Sequence, residues 1–148
     1  MNTYKKISKL TLSVLMVMTL STASYSAEFE WTHDYDEAIR MAHKGKKDIY
    51  LFIGADICKF CKKYKEQTLS DKEVMKRLTK DYIPVYLSRD QHLIPDNFET
   101  AGVPRHYFLK ENGKVFFSTR GLLEIEGFYT MLDEAELMSP SEAALSKE

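Results

Sequence analysis

Cys58 and Cys61 are the two cysteines of the chain, and they stand three residues apart in Cys58-Lys59-Phe60-Cys61. Positions i and i+3 of a helical turn share one side, close enough for two sulfurs to close a small disulfide ring. A thiol at a helix N-terminus faces unsatisfied N–H groups and the positive end of the dipole, and both favour the thiolate. Lys59, Lys62 and Lys63 add positive charge nearby, which Asp56 opposes. The spacing therefore predicts a dithiol with Cys58 as its nucleophile, cycling between thiol and disulfide. Three other uses of the pair compete with this one. A purely structural disulfide around so short a ring removes little chain entropy. Zinc wants four ligands, usually from a second CxxC or a spaced histidine pair, and the sequence supplies neither. Haem attachment needs a histidine directly after the second cysteine, where this chain has Lys62. No metal and no cofactor are expected.

The segments around the dithiol must hold it in place. Ile49-Tyr50-Leu51-Phe52-Ile53 is an apolar, partly β-branched run that predicts a buried strand ending at the close turn Gly54-Ala55. The cysteines then open a helix. Upstream, Asp34 with Glu37 is a capping-box pattern, and Tyr35, Ala38, Ile39 and Ala42 recur at helical spacing before Gly45 ends the run. Phe29 and Trp31 precede it as a short strand or arm. Downstream, Ser70 with Glu73 predicts a second capped helix whose apolar face is Val74, Met75 and Leu78. Tyr82 to Leu87 predicts a strand, in which Pro84 requires a bulge, an early position or an unpaired N–H. A polar loop spans Ser88 to Thr100, with a helical turn around Asp96 to Ala101 as the alternative. His106 to Lys110 and Val115 to Ser118 predict two strands joined by Glu111-Asn112-Gly113-Lys114, where Asn-Gly suits a type I′ turn. A closing helix follows from Glu124 to Leu137, with Ile125, Phe128, Leu132 and Ala135 facing inward. Helix and strand alternate and end in a hairpin. That order predicts an α/β sandwich of three layers, with a mixed central sheet flanked by helices.

The first 26 residues read as a signal peptide. Lys5, Lys6 and Lys9 form a basic start, Leu10 to Leu20 an apolar run well short of the roughly 20 residues of a membrane span, and small residues follow. Residues 27–138 are then the folded domain, and residues 139–148 a flexible tail. Removing three lysines and no acid turns 21 basic against 22 acidic residues into 18 against 22, a net charge of about −4. An acidic mature chain argues against a nucleic-acid partner. A soluble periplasmic protein is expected, as a monomer.

With these residues in view the chain resembles the thioredoxin superfamily. The resemblance rests on CxxC at the start of a helix after a central strand, and on Val103-Pro104 opening a later strand. The stretch KGKKDIYLFIGADICKFCKKYKEQTLSDKEV is most similar to exported members, including the C-terminal domain of the thiol transporter DsbD. The resemblance implies that Cys58 attacks a client disulfide and Cys61 resolves the mixed disulfide. It implies that Pro104 is a cis-proline and that Val103 offers backbone hydrogen bonds to the client. It also implies disulfide-containing client proteins as partners and a membrane thiol as electron donor.

The sequence departs from the family in residues that matter for chemistry. Ile57 stands where a tryptophan is common. Phe52 stands where a buried acid often moves protons for the second cysteine. Lys65, with Glu66 beside it, replaces a glutamate of the transporter domain. Proton handling then falls to Asp56, Glu66 or water. Lys59-Phe60 lacks the histidine found between the cysteines of strong oxidants, which favours a reductase. His106 either faces the dithiol, where it would favour a thiolate, or sits at an edge or in solvent. His33, His43 and His92 have no motif context. Two functions remain open: an exported thiol–disulfide oxidoreductase, and a non-enzymatic module that keeps the peptide groove without the proton relay.

Overall fold

The strand β1 (Asp48–Gly54) is covered on both faces, and its residues from Ile49 to Gly54 are all buried. The computed structural model describes residues 30–139, so the proposed signal peptide and nearly all of the tail lie outside the described residues. Alternate side chains of a strand point to opposite faces, and here the two sets enter two cores. Ile49, Leu51 and Ile53 pack with Ala38 and Ala42 of helix α1 (Tyr35–Gly45). Tyr50 and Phe52 pack with Cys61 and Tyr64 of α2 (Lys59–Gln67), Val74 and Leu78 of α3 (Lys72–Asp81), and Phe128, Leu132 and Ala135 of α4 (Ile125–Met138). The sheet runs β2-β1-β3-β4. Its other strands are β2 (Tyr82–Ser88), parallel to β1, then β3 (Arg105–Leu109), antiparallel to β1, and β4 (Val115–Arg120), antiparallel to β3. This is the expected α/β sandwich with a mixed sheet and helices on both faces. Among the described residues no helix is long and apolar enough to cross a membrane.

Local chemistry explains most element ends and corrects several expectations. Asp34 caps α1 by accepting from the Glu37 N–H at 2.9 Å. Gly45 is the last helical residue of α1, as expected, and the left-handed cap that follows it is Lys46, at φ 50°. The cap of α3 is Asp71, not Ser70. Asp71 Oδ1 accepts from the Glu73 and Val74 N–H groups at 2.9 and 3.0 Å, while Ser70 donates back to the Glu66 carbonyl at 2.6 Å. In α4 the inner face is Phe128, Met131, Leu132 and Ala135; Ile125 sits in the first turn and stays exposed. The hairpin is not type I′, because only Gly113 takes a positive φ. Gly113 N–H donates to the Lys110 carbonyl at 2.8 Å and Lys110 N–H to the Lys114 carbonyl at 2.9 Å, the pattern of a three-residue loop closed by a glycine bulge.

Pro84 needs no bulge. Its carbonyl faces outward, accepting from Thr32 N–H at 3.4 Å, and Tyr86 N–H donates to the Thr32 carbonyl at 3.0 Å. N–H and C=O of one strand residue point the same way, so the donor that proline lacks would have faced the edge and not β1. Of the predicted N-terminal arm, Phe29 lies outside the described residues, and the described part pairs with the sheet through a bridge from Thr32 to Val85. Between β2 and β3 the chain forms no helix. It covers the α1 face of the sheet with Phe98, whose ring meets Tyr35 at 5.5 Å and Tyr107 at 5.1 Å.

Candidate functional site

Cys58 is the N-cap of α2, with extended backbone, and its sulfur accepts from the Cys61 N–H at 3.1 Å. The two cysteines are joined by a disulfide. They differ in access: Cys58 is partly exposed, and Cys61, one turn in, is buried. Gly54, the last residue of β1, lets the Tyr86 side chain of β2 lie close against the strand end. A Cβ there would lie 3.0 Å from the Tyr86 ring. Facing the dithiol is the Val103–Pro104 peptide, which is cis. The Val103 carbonyl oxygen lies 4.0 Å from Cys58 Sγ. Cys58, Cys61, Val103 and Pro104 therefore come together from two distant parts of the chain. Ile57 is fully exposed beside them, and Phe60 is half exposed under the Lys59 ammonium at 5.0 Å.

The two carboxylates considered for proton handling have other partners. Asp56 Oδ2 accepts from Gln91 Nε2 and its Oδ1 from Ser88 Oγ, both at 2.7 Å, and these bonds hold its carboxyl below the usual carboxylate range. Its own N–H donates to Asp90 at 2.7 Å, so Asp56 fastens the loop after β2 to the turn before Cys58. Glu66 is exposed and pairs with Lys62 at 3.8 Å, one helical turn away. Phe52, in the place of a buried acid, packs against Tyr64 at 5.2 Å and Tyr86 at 5.1 Å. The Lys65 ammonium rests over the Tyr86 ring at 4.7 Å.

His106 is neither at an edge nor in solvent: it is fully buried. Its ring lies nearly parallel to Phe52 at 5.7 Å and edge-on to Tyr64 at 5.0 Å. Burial lowers its pKa to about 4, because an imidazolium there would lack water, and a hydrogen bond to the Gly121 carbonyl only partly offsets this. At neutral pH the ring is therefore uncharged, which fixes the sense of each bond around it. The Gly121 carbonyl can only accept, so Nε2–H donates to it at 2.9 Å. Nδ1 then accepts from the Tyr50 hydroxyl at 2.8 Å, and the Tyr50 oxygen accepts from the Tyr64 hydroxyl at 2.8 Å. Burial raises both tyrosine pKa values, so both hydroxyls stay protonated. Sequence reasoning missed Tyr50, Tyr64 and Gly121 as members of this group. The available signal was tyrosine in the middle of a buried strand, since a buried hydroxyl needs a partner.

Comparison with known proteins follows the same outline. A domain family described as thioredoxin-like matches residues 30–111, more than half of the chain. An uncharacterized protein of Archaeoglobus fulgidus is 32% identical over 81 residues, covering 55% of this chain and 64% of that protein. The chain thus spans less than two thirds of the relative's length. Among solved structures, a DsbH oxidoreductase aligns with a TM-score of 0.59 at 19% identity, over 76% of this chain and 88% of that one. The oxidised C-terminal domain of Neisseria meningitidis DsbD gives 0.59 at 17% identity, over 72% and 99%. A thioredoxin from Thermus thermophilus gives 0.58 at 20%, over 74% and 86%. At these identities the likeness is one of fold.

Proposed function

The chain belongs to the thioredoxin-like family, and from that premise we propose that it is an exported thiol–disulfide oxidoreductase that reduces disulfides of envelope proteins in the periplasm. The observation that carries the reading is the asymmetric pair: Cys58 partly exposed at the helix cap, Cys61 buried behind it, and the Val103 carbonyl across from Cys58. In the reduced protein the Cys58 thiolate attacks one sulfur of a client disulfide. That S–S bond breaks, a Cys58–client bond forms, and the client's other sulfur leaves as a thiolate. Cys61 then gives up its proton and attacks Cys58 Sγ. The client leaves with both sulfurs reduced, and two electrons have passed from the dithiol, which is left as the Cys58–Cys61 disulfide. A thiol donor such as a membrane transporter returns those electrons by the reverse exchange.

Val103 is proposed to pair with the client backbone, and Pro104, with no N–H of its own, leaves that pairing uncontested. Water is the proposed acceptor of the Cys61 proton, since Asp56 and Glu66 hold Ser88, Gln91 and Lys62. The helix terminus and the neighbouring lysines stabilise a thiolate, but the segment between the cysteines lacks a histidine. This supports net reduction over oxidation. The protein is read as a monomer that does not bind nucleic acid.

Phe52, in the position of a buried acid, supports a second reading, a binding module without turnover. Insulin reduction driven by dithiothreitol separates the two. Wild type is expected to reduce insulin faster than the uncatalysed reaction. Cys58→Ser should abolish this, and Cys61→Ser should trap client proteins as mixed disulfides. A wild-type rate equal to background would leave the binding module.

A further inference from the structure

We propose that His106 is a positioning residue that holds the Val103–Pro104 turn in register with the dithiol helix through a buried chain of hydrogen bonds. The proposal rests on the reading of that turn as the client's docking edge. The two walls of the site come from distant segments, and the span between them at the surface is the 4.0 Å from Cys58 Sγ to the Val103 carbonyl. Beneath the surface they are joined continuously. Pro104 O accepts from Gly121 N–H at 2.9 Å. Gly121 O accepts from His106 Nε2–H at 2.9 Å, His106 Nδ1 from Tyr50 at 2.8 Å, and Tyr50 from Tyr64 at 2.8 Å. Tyr64 lies on α2, three residues beyond Cys61.

The side chains of this chain, His106, Tyr50 and Tyr64, are fully buried, so no water competes for the bonds among them, and only the Gly121 end is partly exposed. No buried side-chain polar atom among the described residues lacks a partner. A trio of apolar rings could fill the same volume without desolvating a histidine and two hydroxyls. What the polar trio adds is direction, because each bond is strong only within a few tenths of an ångström and near linearity. His106 suits this place for two reasons. It follows Pro104 by two residues, so along an extended segment both side chains point to the same face. Its two nitrogens, one donor and one acceptor, also let a single ring join Gly121 to Tyr50.

A displaced turn should weaken docking of a polypeptide and leave the intrinsic reactivity of Cys58 alone. In His106→Asn the shorter amide can still meet Tyr50 but falls short of Gly121; in His106→Gln the amide reaches Gly121. Tyr50→Phe keeps the volume and cuts the chain at its middle, which preserves a test if the asparagine variant does not fold. For a disulfide-bonded protein client, KM is expected to rise about tenfold or more in His106→Asn, less in Tyr50→Phe, and least in His106→Gln. The rate at which each reduced variant attacks 2-hydroxyethyl disulfide, which has no peptide backbone to pair with the turn, should stay within about twofold of wild type. Amide exchange at Gly121 should be faster in Tyr50→Phe than in wild type. Unchanged client KM in the folded variants, or client and 2-hydroxyethyl disulfide rates falling together, overturns the proposal. If wild type shows no turnover, the oxidoreductase reading fails, and Gly121 exchange decides this proposal alone: equal rates in wild type and Tyr50→Phe overturn it.

Discussion

The two faces of the sheet are built from different materials. On the α1 face, β1 presents Ile49, Leu51 and Ile53 to Val85, Leu87 and Leu109, and α1 meets them with Ala38 and Ala42. On the dithiol face, β1 presents Tyr50 and Phe52 to Tyr64, Phe108, Phe128 and His106. Aliphatic contacts are nondirectional, so many small adjustments leave such a core equally well packed. Tyrosine and histidine add bonds that are satisfied in one arrangement only. The same strand thus seals the molecule with one row of side chains and orients α2 with the other. Burial alone does not distinguish the rows, since every one of these β1 residues is fully buried.

The largest expected effect of breaking either face lies on the aliphatic side. Leu51→Ala should cost about 4 kcal/mol of stability in urea unfolding, while activity per folded molecule stays at the wild-type level. A loss of activity in the folded fraction would show that this face also shapes the site.

The dithiol face should respond to acid through His106. The His106 pKa is depressed to about 4 in the fold from an ordinary value of 6.5. Between those values the unfolded chain binds a proton that the folded chain refuses. Stability is therefore complete above pH 6.5 and falls as the pH is lowered to 4, by ~3 kcal/mol. Urea midpoints measured across that window should show the slope, and His106→Gln should flatten it. Asp56, whose carboxyl is held below its ordinary value, adds loss only at lower pH. Smaller still, Tyr50→Phe removes one oxygen and leaves the Tyr64 hydroxyl and His106 Nδ1 each short of a partner. A cost of about 2 kcal/mol is expected. A neutral result would mean that the trio repacks as an ordinary aromatic cluster.

Features set by neighbours in sequence were legible before the structure. The buried run of β1, the CxxC at a helix start, the Asp34 cap and the closing helix all depend on residues a few positions apart. Errors arose where two local solutions competed. Ser70 and Asp71 are both good caps, and the carboxylate took the place while the hydroxyl bonded back to Glu66. Asn112-Gly113 can serve two hairpin types, and the bulged loop leaves Asn112 at an ordinary φ. Val103-Pro104 was readable only through resemblance, since nothing nearby distinguishes it from an ordinary strand start. His106 was least readable. Its partners lie 56 residues upstream at Tyr50 and 15 downstream at Gly121, and only the folded sheet brings them to one ring.

The bridge at Thr32 makes the two margins of the sheet unequal as templates for aggregation. An unpaired edge strand invites a foreign strand to add to it. Along β2 that invitation is refused twice: the chain's own arm occupies the Pro84 carbonyl and the Tyr86 N–H, and Pro84 itself offers no donor beside its carbonyl. Beyond β4 no strand is present among the described residues. Among the described residues, then, the chain's own backbone guards the β2 margin and not the β4 margin across the sheet from it.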